Sequence, residues 1–308
     1  MRKTFVKTLI EEAKQDRDIF LITGDLGFMA LEEFRDVLPN QYLNAGVSEQ
    51  NMLGMAAGLA LSGKKVYVYS IIPFATMRPF EYVKDDICYQ NLNVKIVGVG
   101  AGFSYSLYGS THHALEDISI MRSLPNMTVV CPGDPLEVKF ATKASVKHKG
   151  PMYLRLGKAG EPVVNPRLKN FKIGKAVIVQ NGKDATIIAT SNLLQNAVEA
   201  GKLLKEQGVD CGVISMHTIK PIDQSAIIEA AKETKAIVTL EEHSVIGGLG
   251  SAVAEILAEN NLKVKFKRLG VPDEYPHVIG SQRYLREKYG LSPQQVAQTI
   301  RNVISKRN

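Results

Sequence analysis

The clearest place for chemistry in the sequence is the start of a predicted helix within residues 44–63. Ser48 can cap this helix, and Glu49 then lies in its first turn, where a carboxylate complements the helix dipole. The helix behind Glu49 carries small residues, which lower helix propensity but let another backbone approach closely. Two interpretations stay open on these residues alone: an ordinary helix start, or a functional carboxylate beside a tightly packed partner or symmetry mate. The small residues are Gly54, Ala56, Ala57, Gly58 and Ala60.

Two adjacent histidines and one aspartate form a second group of candidates. His112 and His113 lie between a glycine turn and a predicted helix, in the segment 108–127. Imidazoles in such a loop suit general acid–base chemistry or the binding of oxyanions, and a loop histidine bonded to backbone fits equally well. Asp25 follows the first predicted strand and has the same ambiguity.

Short β-branched runs alternate with longer helical patterns along the whole chain. This alternation predicts an α/β fold of two doubly wound domains with mainly parallel sheets. At ~150 residues per domain, a chain of 308 residues has room for two. We predict domains over 1–160 and 175–308, joined by a linker over 161–174 that is rich in proline and basic residues. The predicted strands are 19–23, 65–69, 94–99, 128–131, 152–156, 176–179, 186–189, 212–215, 236–240 and 263–268. The predicted helices, after an amphipathic N-terminal one, are 49–61, 78–91, 115–124, 135–149, 193–207, 225–232, 249–259 and 293–306.

Composition and charge exclude several function classes. The chain has 38 Lys and Arg against 31 Asp and Glu, a net charge of +7 that is too moderate to indicate nucleic-acid binding. Eleven of these basic residues lie within 139–183, which indicates either a solvated helix face with a linker or a docking surface for an acidic or phosphorylated partner. No apolar stretch is long enough to span a membrane, and we expect the first residues to form an amphipathic helix and not a signal peptide, because they contain no apolar core region. The three cysteines are widely spaced, so a cytoplasmic location is expected.

Several ordered motifs together resemble one enzyme family. The runs GVSEQNMLGMAAGLALSG (46–63), FATMRPFEYVKDDI (74–87) and GSTHHALEDISIMRSLPNM (109–127) resemble the pyrimidine-binding domain of transketolase-type thiamine-diphosphate enzymes. In the second half, HTIKPID, TLEEH and GGLGSAVAE resemble the C-terminal domain of the same family. The resemblance covers nearly the whole chain.

The resemblance also implies a partner. Family members bind the cofactor diphosphate and its divalent metal on a separate domain with a GDG…N motif, and no GDG occurs in this sequence. We therefore expect an N-terminal transketolase subunit that carries this motif and holds Mg²⁺ or Ca²⁺, with no metal ligand in this chain. Thiamine diphosphate would be shared between the two subunits, in an α2β2 assembly.

Matching positions in the family imply roles for the residues that face the cofactor. Glu49 matches the glutamate that hydrogen-bonds the aminopyrimidine ring nitrogen, a catalytic contact. Phe74 matches the aromatic residue that stacks on this ring, and Ile71 and Met77 complete the ring site, with Ile71 in place of a common aromatic residue. Asp25 matches an aspartate close to the cofactor.

Other matching positions imply contacts to the substrate. His112 matches a catalytic histidine near the reacting carbons of the donor ketose. Arg155 and Arg2 fall near arginines that bind sugar phosphates, and Arg78 is a further candidate, because a guanidinium suits phosphate geometry.

Two departures from the family pattern concern the substrate. Gly100 stands about where family members have a histidine that contacts donor hydroxyls. Tyr108 replaces an aspartate with which family members recognise a sugar hydroxyl. We therefore expect a transketolase subunit that moves a two-carbon ketol unit from a ketose to an aldose, with atypical sugar or sugar-phosphate substrates. The alternatives are a β subunit of a 2-oxo-acid dehydrogenase, a 1-deoxyxylulose-5-phosphate synthase-like enzyme, and a non-catalytic regulatory subunit of the same fold.

Overall fold

Two helix-covered β-sheets make up the protein, seen here in a computed structural model that describes residues 1–305. Several strands, such as those over 19–23 and 236–244, form where β-branched residues cluster, and several long helices, such as those over 194–206 and 293–305, form where the pattern is amphipathic. The strands are β1 (Ile19–Thr23), β2 (Tyr42–Asn44), β3 (Lys65–Ile71), β4 (Val94–Val99), β5 (Thr128–Val130), β6 (Met152–Leu156), β7 (Val177–Gln180), β8 (Ala185–Ala189), β9 (Cys211–Ser215), β10 (Thr218–Lys220), β11 (Ala236–Ser244) and β12 (Lys265–Val271).

Helices connect these strands. The helices are α1 (Arg2–Ala13), α2 (Glu32–Val37), α3 (Glu49–Leu61), α4 (Ile72–Thr76), α5 (Phe80–Tyr82), α6 (Asp117–Ser123), α7 (Pro135–Lys147), α8 (Leu194–Glu206), α9 (Gln224–Glu233), α10 (Leu249–Glu259), α11 (Gln282–Lys288) and α12 (Pro293–Ser305). A π-helical segment, Val83–Tyr89, continues α5.

The first sheet has the strand order β10-β5-β6-β4-β3-β1-β2. Its strands β1 to β6 pair in parallel, so their carboxyl ends lie along one edge. Helices α1 and α7 pack on one face over an apolar cluster that includes Phe5 and Leu9. Helix α3 covers the other face through Met52, Leu53 and Ala56, which are buried. The arrangement is a doubly wound sheet, and residues placed just after its strands share one edge.

The second sheet, in the order β12-β11-β8-β9-β7, is parallel except for β7, which runs antiparallel to β9. Helices α8 and α12 pack together on one side, and α9 and α10 pack on the other. Both sheets are mainly parallel with helices on two faces, which confirms the fold class predicted from the alternating pattern.

A strand from the second half of the chain completes the first sheet. Thr218–Lys220 forms β10, which runs antiparallel to β5, and the Nζ atom of Lys220 donates to the carbonyl oxygens of Arg122 and Leu124. One apolar cluster also runs between the halves and includes Met121 and Leu249. The two sheets are therefore joined by backbone pairing as well as by apolar contact.

The elements differ from the sequence predictions mainly in short pieces. The predicted helix over 78–91 is α5 followed by the π-helical segment. The sequence does not predict β2, β10, α2, α4 and α11, which are elements of three to seven residues. The last predicted helix runs to 306, a residue that lies outside the described part of the chain.

Candidate active site

Most of the candidate residues lie where the parallel strands of the first sheet end. Loops after the carboxyl ends of such strands are where open α/β sheets bind ligands. In chain order, Asp25 follows β1, Glu49 follows β2, Phe74 and Arg78 follow β3, and His112 lies in the long loop after β4.

Glu49 is buried at the start of α3 although it is a charged residue. Its side chain is 3% exposed, and its Oε2 atom lies 3.1 Å from the Nη1 atom of Arg78. The Arg78 guanidinium also lies over the ring of Phe74, 4.3 Å from its centroid. Ser48 occupies the N-cap position as predicted, but its side chain makes no capping hydrogen bond. A buried carboxylate, an aromatic face and a cation therefore meet at one point.

His112 adds an imidazole to this group. Its ring forms a T-shaped pair with the Phe74 ring at a centroid distance of 5.2 Å, and its centroid lies 5.1 Å from that of the Tyr108 ring. The Nδ1 atom of His112 lies 2.9 Å from the Oγ1 atom of Thr111. Burial, together with the positive charge of Arg78, lowers the pKa of His112 below its ordinary value of 6.5. A neutral imidazole at neutral pH can accept or donate a proton.

A second cationic region borders His112 on the side of Tyr105. The Nζ atom of Lys158 lies over the Tyr105 ring, 4.5 Å from its centroid, and burial raises the pKa of Tyr105 while the nearby charge of Arg2 opposes that rise. The Nε atom of Arg2 is buried and has no hydrogen-bond partner among the described residues. The sequence motifs do not indicate Lys158, yet it lies two residues after β6, at the same sheet edge as the other candidates.

The Tyr105 ring also explains one departure from the family pattern. Gly100 has a φ of +100°, and a Cβ atom there would lie 2.3 Å from the Tyr105 ring. A side chain at this position would collide with the Tyr105 ring and would need a strained backbone conformation, so the loop as folded requires glycine here.

The remaining cofactor candidates lie close to Phe74 in the chain or in a turn after β1. Ile71 is the last residue of β3 and is partly buried, and Met77 follows α4 and is exposed. Asp25 is exposed, with a φ of +57°, and belongs to a hydrogen-bonded turn in which Asn44 Nδ2 donates to its Oδ1 atom at 3.0 Å.

Arg155 does not occupy the position that a phosphate-binding residue needs, and the structure corrects the sequence prediction here. Its side chain is fully buried in β6. The guanidinium donates to the Asp117 carboxylate (Nε to Oδ2, 2.8 Å; Nη2 to Oδ1, 3.2 Å), to Ser191 Oγ at 3.1 Å, and to the carbonyl oxygens of Ala114 at 2.8 Å and Glu242 at 3.1 Å. These acceptors satisfy the guanidinium inside the protein, so it joins the two halves of the chain instead of facing a substrate.

Comparison with known proteins places the chain in one family. The transketolase pyrimidine-binding domain matches residues 1–160, and the transketolase C-terminal domain matches residues 174–296. The chain belongs to the transketolase family.

Three similar proteins define the relationship more closely. The chain is 41% identical to an apulose-4-phosphate transketolase subunit of Phocaeicola vulgatus, over 99% of this chain and 97% of that protein. It is 38% identical to a 6-deoxy-6-sulfo-D-fructose transketolase subunit of a Clostridium species, over 100% of this chain and 95% of the relative. A solved structure described as a split gene transketolase, inactive beta4 tetramer, superposes with a TM-score of 0.92 at 37% identity, over 100% of this chain and 99% of that one.

Among the helices of residues 1–305, none combines the length and the apolar character that crossing a membrane requires.

Proposed function

We propose that this chain is one of two subunits of a thiamine-diphosphate-dependent transketolase, and that it contributes Glu49, Phe74 and His112 to the active site. The observation that carries the proposal is the meeting of a buried carboxylate, an aromatic ring and a neutral imidazole at the carboxyl edge of the first sheet. The names of the similar proteins favour a split transketolase over a 2-oxo-acid dehydrogenase β subunit or a 1-deoxyxylulose-5-phosphate synthase-like enzyme.

The residues of this chain fit the aminopyrimidine half of thiamine diphosphate. Glu49 offers a buried oxygen to a ring nitrogen, and Phe74 offers a ring face for stacking, with Ile71 and Met77 beside it. Arg78 now covers that face and pairs with Glu49, but its side chain is half exposed, and its movement would uncover both groups for a stacked ring. The chemistry that bound thiamine diphosphate supplies is a nucleophilic carbon able to carry a two-carbon ketol unit.

His112 is placed to handle protons on the sugar. Its neutral ring can take a proton from a donor hydroxyl and return it to the product, while Thr111 fixes the orientation of the ring through Nδ1. Asp25 stays a candidate for cofactor contact from the neighbouring turn.

The substrate end of the site is suited to an anionic sugar. Arg2, with its unpartnered Nε atom, and Lys158 both lie near Tyr105, so they can bind a phosphate or sulfonate at the far end of a sugar from His112. Tyr108, in place of an aspartate, is exposed and aromatic and favours an atypical sugar. Two similar proteins are named for a phosphorylated and a sulfonated sugar, which agrees with this preference. High efficiency with xylulose 5-phosphate would contradict an atypical substrate.

The second subunit is expected to hold the diphosphate and the metal ion, Mg²⁺ or Ca²⁺, through its GDG…N motif. An α2β2 assembly follows from the resemblance, and the similar split-gene protein forms a β4 tetramer without activity. The cytoplasmic location stays a prediction.

Glu49→Gln tests the proposal directly. The amide keeps the shape of the side chain, but it cannot exchange a carboxyl proton or carry a negative charge beside the ring nitrogen. Turnover of the two-subunit enzyme is therefore expected to fall at least ~100-fold. The control is Glu81→Gln, an exposed glutamate on α5, which is expected to leave turnover unchanged. Equal activity of the two variants would contradict a catalytic role and favour the regulatory alternative.

A further inference from the structure

The loop that carries His112 is closed at its base by contacts from the second half of the chain. Gly102 and Ala114 pair as an isolated antiparallel bridge, with the Ala114 N–H donating to the Gly102 carbonyl at 3.0 Å. We call residues 102–114 the histidine loop. Tyr105, Tyr108 and His112 lie between its two ends, so whatever holds the base of the histidine loop sets the position of these side chains.

Glu242, on β11 of the second sheet, binds the first end of the histidine loop. Its Oε1 atom accepts the Phe103 N–H at 2.9 Å. Gly102 has a φ of +58°, and a Cβ atom there would lie 2.4 Å from the Glu242 Cγ atom, so only glycine allows this approach. The carboxylate side chain thus lies directly against the histidine loop backbone.

Glu242 also acts on the second end of the histidine loop. Its main-chain carbonyl accepts from Arg155 Nη2 at 3.1 Å, and the same Nη2 atom donates to the Ala114 carbonyl at 2.8 Å. One residue therefore binds the start of the histidine loop through its side chain and the end through Arg155.

The Glu242 carboxylate is itself held by charge. The side chain is fully buried, and Arg286 of α11 donates to its Oε2 atom from Nε at 3.0 Å and from Nη2 at 2.6 Å. Gln282 Nε2 donates to its Oε1 atom at 3.0 Å. Arg286 therefore holds one carboxylate oxygen through two charge-assisted hydrogen bonds, and Gln282 holds the other oxygen, which restrains the orientation of the carboxylate.

We propose that Glu242, fixed by Arg286, is a positioning residue that sets the place of His112 in the active site. The second half of the chain then contributes to catalysis through the backbone of Phe103 without touching the substrate. This inference rests on the proposed role of His112. Its structural part, that Glu242 holds the histidine loop, can be tested on the isolated chain.

The test replaces Glu242 with glutamine and measures two quantities. The amide keeps an oxygen for the Phe103 N–H but loses the charge that orients it against Arg286. In the isolated chain, backbone amide hydrogen exchange over residues 100–114 is expected to become at least about tenfold faster. In the two-subunit enzyme, kcat is expected to fall about 10- to 100-fold, since small misplacements of a catalytic group cost this much. The Kd for thiamine diphosphate is expected to stay within about twofold, because Glu49 and Phe74 lie on other elements.

Glu241→Gln is the matched control. Glu241 precedes Glu242 on β11 and is equally buried, but its carboxylate accepts the N–H groups of Leu249 and Gly250 at the start of α10. The Glu241→Gln variant is expected to change backbone amide hydrogen exchange at α10 and to leave exchange in the histidine loop unchanged. If Glu242→Gln does not fold, Gln282→Leu removes one donor to the same carboxylate and is expected to give a smaller change of the same kind.

The outcomes separate this inference from the proposed function. Unchanged exchange over 100–114, or exchange that rises equally over the whole chain, would overturn the positioning role. Faster exchange with unchanged kcat would overturn it as well. If Glu49→Gln leaves turnover intact, the proposed function fails, and the exchange result still reports whether Glu242 holds the histidine loop.

Discussion

Replacing Arg155 with methionine distinguishes the buried position of this residue from the phosphate-binding role that the sequence predicts. In the structure the Asp117 carboxylate is fully buried and accepts from Arg155 and from the hydroxyl of Tyr153, at 2.6 Å. Methionine fills a similar volume but leaves this carboxylate without its counter-charge. It also leaves the carbonyl oxygens of Ala114 and Glu242 without the Nη2 donor.

The expected cost follows from this geometry. Removing one partner of a buried ion pair destabilises a protein by ~3–5 kcal/mol, because the other charge stays buried and unpaired. Arg155→Lys keeps the positive charge but cannot reach all of the acceptors, so we expect a smaller loss of about 2 kcal/mol. The double variant Arg155→Met/Asp117→Leu removes both charges and is expected to regain the part of the loss that comes from the unpaired charge, while the Tyr153 hydroxyl and the two carbonyl oxygens stay unpaired.

Urea denaturation of the isolated chain, followed by circular dichroism, measures these differences. A phosphate-binding Arg155 would behave differently: its methionine variant would unfold within about 1 kcal/mol of the wild type, and the KM for a phosphorylated substrate would rise. That combination would refute the buried-pair account. A loss of ~3–5 kcal/mol, partly recovered in the double variant, supports it.

Three further predictions concern charge and protonation. Arg78→Met removes a positive charge beside His112, so the pKa of His112 is expected to rise towards 6.5, which an NMR titration of its ring protons measures. Lys158→Met is expected to raise the KM for an anionic sugar about tenfold or more with little change in kcat, whereas the exposed Lys169→Met is expected to leave KM unchanged in steady-state assays. Burial lowers the pKa of His217 to about 4. Between pH ~6.5 and 4, the His217 imidazole therefore binds a proton in the unfolded chain but not in the folded chain. Wild-type stability is therefore expected to fall by up to ~3 kcal/mol relative to His217→Leu between pH 6.5 and 4, measured by urea denaturation at both values.

Each of these predictions has a contradicting result. An unchanged or lower pKa of His112 in the Arg78 variant would mean that the two charges do not interact. A fall in kcat with constant KM in the Lys158 variant would place this lysine at the reacting carbons instead of the anion. Parallel pH–stability curves for the wild type and the His217 variant would mean that the imidazole titrates normally.

The sequence predicts the parts of the fold that local pattern controls. Strands such as β1, β4 and β6 have the predicted bounds, and α3 begins at Glu49 as expected, because apolar runs and helix-start residues are local features of the sequence. The edge of the sheet that gathers the candidate side chains follows from the parallel order.

Contacts between distant segments could not be predicted in this way. The three residues of β10 become a strand only by pairing with β5, about ninety residues earlier in the chain. Arg155 is buried because Asp117 and Glu242 come from other elements to meet it, and nothing adjacent to Arg155 in the sequence indicates this. Lys158 could have been found from its place after β6, because residues that follow the carboxyl ends of the parallel strands lie along the same edge as the other candidates.

The most direct test of the central claim is a reconstitution assay of ketol transfer. The chain, the N-terminal subunit of the same organism and an equimolar mixture of both are each supplied with thiamine diphosphate, Mg²⁺, a ketose donor and an aldose acceptor. We expect turnover only in the mixture, and its loss when the chain carries Glu49→Gln. Turnover by the N-terminal subunit alone, or by the mixture irrespective of Glu49, would contradict the claim that this chain supplies part of the active site.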